Sequence, residues 1–179
     1  MSRKLARATH QRPCRREQEA RVELKRAQAL AQEVVDYLAP YCERERVVTV
    51  GSIRRRKPLP RDVDMLLIPA NQGALLTALQ GLGEKRRGGP KIEERLYKGV
   101  QLDLYFATPE TWATLLLIRT GSKEHNIKLT TLAKRKGWTL HASGKGLCNA
   151  EDERIAWESE ESIFQALGLP FVEPWEREP

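Results

Sequence analysis

Two short stretches, Arg61-Asp62-Val63-Asp64-Met65-Leu66-Leu67-Ile68 and Val100-Gln101-Leu102-Asp103-Leu104-Tyr105-Phe106, constrain the fold of this chain more than any other feature. Both read as β-strands, in which successive side chains point to opposite faces. In the first, Asp62 and Asp64 share one face while Val63, Met65 and Leu67 occupy the other. In the second, Val100, Leu102, Leu104 and Phe106 form an apolar face and leave Asp103 alone on the opposite one. Each aspartate singly also suits a strand end or a turn. As neighbours in one sheet, however, the two stretches bring three carboxylates onto a common patch. Such a cluster repels itself and raises its own pKa values. Divalent cations remove that cost, and oxygen-only donors suit magnesium, with manganese as the other candidate. Two such ions, about 4 Å apart, can serve phosphoryl transfer by acting on both the attacking and the leaving oxygen.

A second pattern precedes the first. The β-rich run Val47 to Val50 leads directly into Gly51-Ser52-Ile53-Arg54-Arg55. A turn of this kind offers backbone N–H groups, a serine hydroxyl and guanidinium groups, the donors of a phosphate site. Alone it is also a common surface turn. Arg61 and the Asp-Val-Asp triplet follow closely, and a phosphate grip beside a metal grip is what a nucleoside triphosphate requires.

The formal net charge is +7. Residues 1–26 carry nine Lys or Arg against three Glu, a balance of +6, so almost the whole excess lies in an N-terminal arm. Its first 16 residues show no periodicity and read as a basic flexible arm. Such an arm suits either a solvated tail or a polyanionic partner. Three widely spaced cysteines and three histidines show no zinc-ligand spacing. The longest apolar run, Ala113 to Ile118 with one Thr inside, is far short of the roughly 20 residues that cross a bilayer. The expectation is a reduced, intracellular compartment without a membrane partner.

Periodicity predicts a helix from Glu17 to Leu38, closed by Pro40, and a short helix over Ala74–Leu82. A Gly/Arg loop follows through Pro90, then strands at Arg95–Tyr97 and Val100–Ala107. Helices are predicted at Trp112–Arg119 and onward to Lys136, with a hairpin around Ser143-Gly144. Ser159 caps a final helix, Glu160–Leu167, which Gly168 and Pro170 close. The four tryptophans read as packing residues, and His125 as a helix-surface residue.

The stretch from Gly51-Ser52 through Asp62-Val63-Asp64, with the later Leu102-Asp103-Leu104, resembles the palm signature of family X DNA polymerases. Thr120-Gly121-Ser122-Lys123-Glu124-His125-Asn126 resembles the start of that family's thumb. Glu160 to Pro170 is similar to its closing helix and tail. The resemblance covers residues 20–179. It implies an α+β fold, with a nucleotidyltransferase palm over residues 17–108 built on a mixed β-sheet with flanking helices. A small α/β thumb follows over 109–179. It also implies a DNA-directed DNA polymerase that adds dNMP from a dNTP to the primer 3′-OH of primer-template or gapped DNA, in short gap filling during repair.

By the same resemblance, Asp62, Asp64 and Asp103 hold two Mg²⁺ (or Mn²⁺), and Asp103 lies nearest the primer hydroxyl. Gly51, Ser52 and Arg55 hold the phosphates, Thr120 is a further nucleotide contact, Gly121 lets the backbone lie under the sugar, and Asn126 reaches the new base pair. Three departures from the family pattern stand out. Ile118-Arg119 replaces an aromatic pair and makes Arg119 a further phosphate contact. Pro60-Arg61 replaces a small pair and adds a cation, Arg61, to the triphosphate loop. Thr130 replaces an arginine that probes the template. Only 50 residues precede Gly51, too few for the family's lyase domain and fingers, so the resemblance implies a palm and thumb alone, a cytoplasmic monomer of the kind carried by some viruses, phages and bacteria. The candidate DNA contacts are then Arg12, Arg15, Arg16, Lys134 and Lys136. Two other readings stay open: a template-independent transferase acting on RNA or a small molecule, and a non-catalytic nucleic-acid binder. If the arm clamps the nucleic-acid backbone, removing residues 1–16 weakens DNA binding and flattens its salt dependence. Unchanged affinity and salt slope in a titration of the truncated chain reject that role.

Overall fold

A computed structural model describes residues 22–178. The expected arm and its candidate contacts Arg12, Arg15 and Arg16 lie outside the described residues. The first helix, α1, spans Leu24–Leu38 and buries Ala27, Ala31, Val34 and Leu38. These positions recur at three- and four-residue steps and so make one apolar stripe. Strand β1 (Cys42–Thr49) follows, then the single-turn helix α2 (Gly51–Arg54), β2 (Asp62–Pro69) and α3 (Gln72–Leu79). Three more strands, β3 (Glu84–Gly88), β4 (Ile92–Tyr97) and β5 (Val100–Phe106), complete a five-stranded sheet of order β1-β2-β5-β4-β3. The sheet is mixed: β2 and β5 run parallel, and the other neighbours antiparallel.

The alternation anticipated for the two Asp-bearing strands sorts the sheet's faces. Val63, Met65 and Leu67 of β2 and Leu102 and Leu104 of β5 pack with α1 and α3 into one core. On the other face, the aspartates come first along β2. Leu66 and Ile68 come next and pack with Trp112 and Leu115. Those two belong to α4 (Trp112–Thr120), whose Leu117 enters a separate core with α5 (Lys123–Arg135) and α6 (Glu160–Leu167). That second core is closed by a small antiparallel sheet, β6 (Thr139–His141), β7 (Gly146–Cys148) and β8 (Arg154–Ala156). Helix α4 is therefore shared between the two halves, which fixes the second against the aspartate-bearing face. No helix among the described residues is long and apolar enough to cross a membrane.

Several elements differ from the sequence expectation. Residues 84–88, expected as loop, form the edge strand β3, and all five are exposed. A fully solvated, charged strand shows no apolar alternation, so its pairing with β4 is the only signal for it. Strand β1 begins at Cys42, five residues before the apolar run, for the same reason: Glu43, Arg44 and Arg46 are exposed. His125 is half-buried and packs 5.6 Å from the Phe164 ring, and burial and nearby cations lower its pKa to about 4. It is a packing residue at the face of α5 turned towards α6.

A buried ionic junction ties the halves together. Glu160 accepts from Arg54 at 3.0 and 2.6 Å and from Arg177 Nη1 at 2.6 Å. Burial pushes its carboxyl up, yet the two guanidinium groups outweigh this and hold it below the ordinary carboxylate range. Arg177 has a fully buried side chain. Removing one partner of such a group leaves a charge with no counter-ion, at a cost of about 3–5 kcal/mol. Glu160→Ala should lose stability on that scale in urea denaturation. A loss below about 1 kcal/mol, the range of exposed pairs, would show that the junction contributes little.

Candidate active site

The parallel register of β2 and β5 sets Asp64 directly opposite Asp103, with Asp62 opposite Gln101. All three aspartates therefore lie on one face, and they are close enough to perturb one another. Burial, then Asp62 and Asp103, raises the Asp64 carboxyl to about 7. Burial raises Asp103 to about 6, with Asp62 and Glu94 adding to the shift. Two local donors oppose it: Tyr105 Oη gives a hydrogen bond to Asp64 Oδ1 at 3.3 Å, and Gln101 Nε2 one to Asp103 Oδ1 at 2.9 Å. The row continues across the sheet, because Asp103 faces Glu94 on β4 and Glu94 faces Arg87 on β3.

Gly51 joins the turn to this cluster. Val50 N donates to the Asp64 carbonyl at 2.8 Å, which draws the start of α2 onto β2. Gly51 has φ +59°, and a Cβ there would lie 1.9 Å from Asp64 Oδ2. Only glycine fits, so the residue read from sequence as a backbone approach to phosphate is also what makes room for a carboxylate. The neighbouring Ser52 Oγ is buried and has no hydrogen-bond partner among the described residues. A buried hydroxyl without a partner costs free energy, and here it borders a cleft.

That cleft has a volume of about 510 Å³ and runs between the sheet face and the α4–α5 turn. Of the predicted residues, Gly51, Ser52, Arg55, Asp62, Asp64, Arg119, Thr120, Gly121 and Asn126 wall it. Tyr105 and Lys123, which the sequence reading did not single out, wall it too. Asp103 is not one of its walls. It is buried on the β5 side, towards the β4–β3 edge. Arg61 is exposed and stands apart from the walls. Lys134 and Lys136 sit at the far end of α5; Lys136 is 5.0 Å over the Trp138 ring and donates to the Ala166 carbonyl.

The remaining wall residues are held in specific ways. The Arg119 guanidinium lies 4.3 Å over the Tyr105 ring, so it clamps the phenol that bonds Asp64. Thr120 Oγ1 accepts from Arg54 at 2.6 Å and donates to the Leu116 carbonyl at 2.6 Å, which leaves its hydroxyl no hydrogen to donate to a phosphate. Gly121 has φ 67° and ψ −156°, a conformation closed to other residues, and a Cβ there would lie 3.3 Å from Arg55 Nη1. Asn126 Nδ2 donates to the Ile118 carbonyl at 2.8 Å, and its buried Oδ1 has no partner among the described residues. Arg55 donates through Nε to Glu178 at 2.6 Å and through Nη1 to the Thr120 carbonyl.

The donors fit a hard divalent cation: three carboxylates, two of which burial and mutual repulsion make harder to ionise until a positive charge arrives. A separate group, His141, Cys148 and Asp152, places candidate ligand atoms within 4.8 Å of one another on the small sheet. Residue spacing does not show it, because strand pairing creates it. Lys145 already pairs with Asp152 there.

The chain is similar to several known polymerases. Residues 115–178 match the family described as DNA polymerase beta thumb. The chain is 29% identical over 157 residues to the DNA polymerase/3'-5' exonuclease PolX of Bacillus subtilis (strain 168), covering 83% of this chain and 27% of that protein. It is 28% identical over 162 residues to DNA polymerase lambda of Rattus norvegicus, covering 73% of this chain and 28% of that one. The DNA nucleotidylexotransferase of Xenopus laevis is 32% identical over 88 residues, 49% of this chain and 17% of that protein. The chain thus spans less than a third of the length of these relatives. Leishmania infantum polymerase beta, in a ternary P/T complex, superposes with a TM-score of 0.76 at 21% identity, covering 89% of this chain and 77% of that one. Its ternary gap complex also gives 0.76, at 20% identity, covering 89% and 71%.

Because Asp64 and Asp103 have higher pKa values folded than the ordinary 3.8, their protonated forms favour the folded state. That contribution is complete below about pH 4 and is lost as pH rises through 6 and 7. Without divalent metal, the melting temperature of Asp64→Asn should therefore fall less than that of wild type between about pH 5 and pH 8. Adding Mg²⁺ should stabilise wild type most at the upper end. Parallel profiles for the two proteins would refute the electrostatic account.

Proposed function

We propose that this chain, a relative of the family X DNA polymerases, is a nucleotidyltransferase that adds dNMP to a DNA primer 3′-OH. The observation that carries the reading is the in-register Asp64–Asp103 pair, whose Asp64 walls, with Asp62, the cleft bordered by the Ser52 hydroxyl. In this reading residues 17–108 are the palm and 109–179 the thumb. Asp62, Asp64 and Asp103 hold the divalent metal, two Mg²⁺ or Mn²⁺ ions. Bound there, the metal supplies charge neutralisation for the attacking hydroxyl and for the leaving pyrophosphate.

The chain's own groups divide the remaining work. Ser52 Oγ and the Arg55 guanidinium bind the β- and γ-phosphates, and the Gly121 backbone lies under the sugar. Asn126 Oδ1 faces the base pair. Asp103, on the opposite flank from the cleft walls, meets the primer terminus and accepts the proton of its 3′-hydroxyl. The hydroxyl oxygen forms a bond to the α-phosphorus while the bond to the β-phosphate oxygen breaks and pyrophosphate leaves. The exposed Arg87 of β3, opposite Glu94, continues from that side and suits a primer backbone. The chain acts as a monomer, in short gap filling during repair.

Template-independent transfer is the second reading, favoured by the likeness to the nucleotidylexotransferase. Primer extension with and without a template strand separates the two. On either reading Asp103→Ala should lower extension by about 10³-fold or more, while primer binding survives. Such a loss fits removal of a group acting in the transition state. Undiminished extension by the variant would remove Asp103 from the chemistry.

A further inference from the structure

The turn that bears Arg55 is gripped along its length by one remote segment, residues 175–178. Arg56 takes a left-handed backbone, φ 59°, and its guanidinium lies 4.0 Å over the Trp175 ring. Arg54 reaches Arg177 through the shared carboxylate of Glu160. Arg55 Nε donates to Glu178 Oε1 at 2.6 Å, and Lys57 pairs with the other oxygen of the same carboxylate. Four consecutive cations thus meet partners set in place by this segment, and of the four only Arg55 walls the cleft.

We propose that Glu178 is a positioning residue for the incoming triphosphate, holding the Arg55 guanidinium from behind so that its remaining N–H groups meet a phosphate. The inference rests on the reading of the cleft as a triphosphate site. Three observations favour positioning over competition for the cation. First, Glu178 is not among the residues that wall the cleft, so its carboxylate does not stand where a phosphate would. Second, Arg55 is held at two points, Nε by Glu178 and Nη1 by the Thr120 carbonyl, and neither bond uses Nη2. A planar fork fixed at two corners has lost its rotamer freedom before the nucleotide arrives, which is the benefit of preorganisation. Third, one carboxylate serves two cations, Arg55 and Lys57. Two positive charges and one negative leave a net +1, so the cluster still attracts a polyanion. Burial of the Arg55 and Glu178 side chains, 15% and 24% exposed, protects the pair from full solvent screening.

The test uses the full chain with the substitutions Glu178→Ala, Glu178→Gln and Glu178→Asp, measuring KM for dNTP and kcat on a primer-template. Equilibrium binding of the same dNTP is measured in parallel. Loss of a positioned charge-assisted contact should raise KM, and weaken dNTP binding, by about tenfold in the Ala and Gln variants. The value of kcat should stay within about twofold, and Asp should restore part of the affinity. Trp175→Ala loosens the same segment without touching Arg55. An equal rise in KM in that variant, with an equal drop in melting temperature, would make Glu178 a structural strap only and overturn the proposal. Unchanged KM in Glu178→Ala would also overturn it, and a lower KM would show that the carboxylate competes with the triphosphate. Failure of wild type to extend any primer is a failure of the polymerase reading instead. In that case the dNTP binding series still decides the role of Glu178.

Discussion

The parallel pairing of β2 with β5 is the constraint on which the rest of the molecule depends. Its register places Asp64 against Asp103, and every later feature answers to the charge concentrated there. Parallel neighbours cannot be joined by a tight turn. Residues 70–99 therefore intervene, and they supply α3 and the β3–β4 hairpin that pairs β4 against β5. One crossover thus covers the apolar face of the sheet and carries the carboxylate row on to Glu94 and Arg87.

Holding the buried Asp103 and the half-buried Asp64 against each other works against folding at neutral pH, and the structure offsets this with contacts remote from the charge. The aspartate end of the face is polar, but two residues further along β2 the same face becomes Leu66 and Ile68, locked under Trp112 and Leu115 of α4. Helix α4 then continues into the second core through Leu117. The cleft is accordingly bounded by one rigid helix that both halves share. Tyr105, clamped by Arg119, restrains Asp64 from the same side.

Charge also organises the junction between the halves. Arg54, Arg55, Arg56 and Lys57 would repel one another on a free turn. Each has a counter-group from the second half: Glu160, Glu178, the Trp175 ring, and Glu178 again. The turn that contacts phosphate in the proposed function is thereby linked mechanically to the second half. A ligand that pulls on Arg55 pulls on the segment that packs beside α6.

From the amino-acid order alone one could see the two strands, the facing of Asp62, Asp64 and Asp103, the Gly51-Ser52 turn and the caps of the last helix. These rest on local rules: a period of two along a strand, and the hydrogen-bonding needs of a helix end. What the order could not show was anything set by contacts between distant segments. The strand at 84–88 has no apolar pattern and exists through its pairing. Thr120, a predicted ligand, spends its hydroxyl on Arg54 and Leu116, while Arg61 stands outside the cleft it was expected to line. The Glu160 junction and the Glu178–Arg55 pair join residues more than a hundred positions apart. Charge and periodicity are written locally, but which charge meets which is decided only when the chain packs.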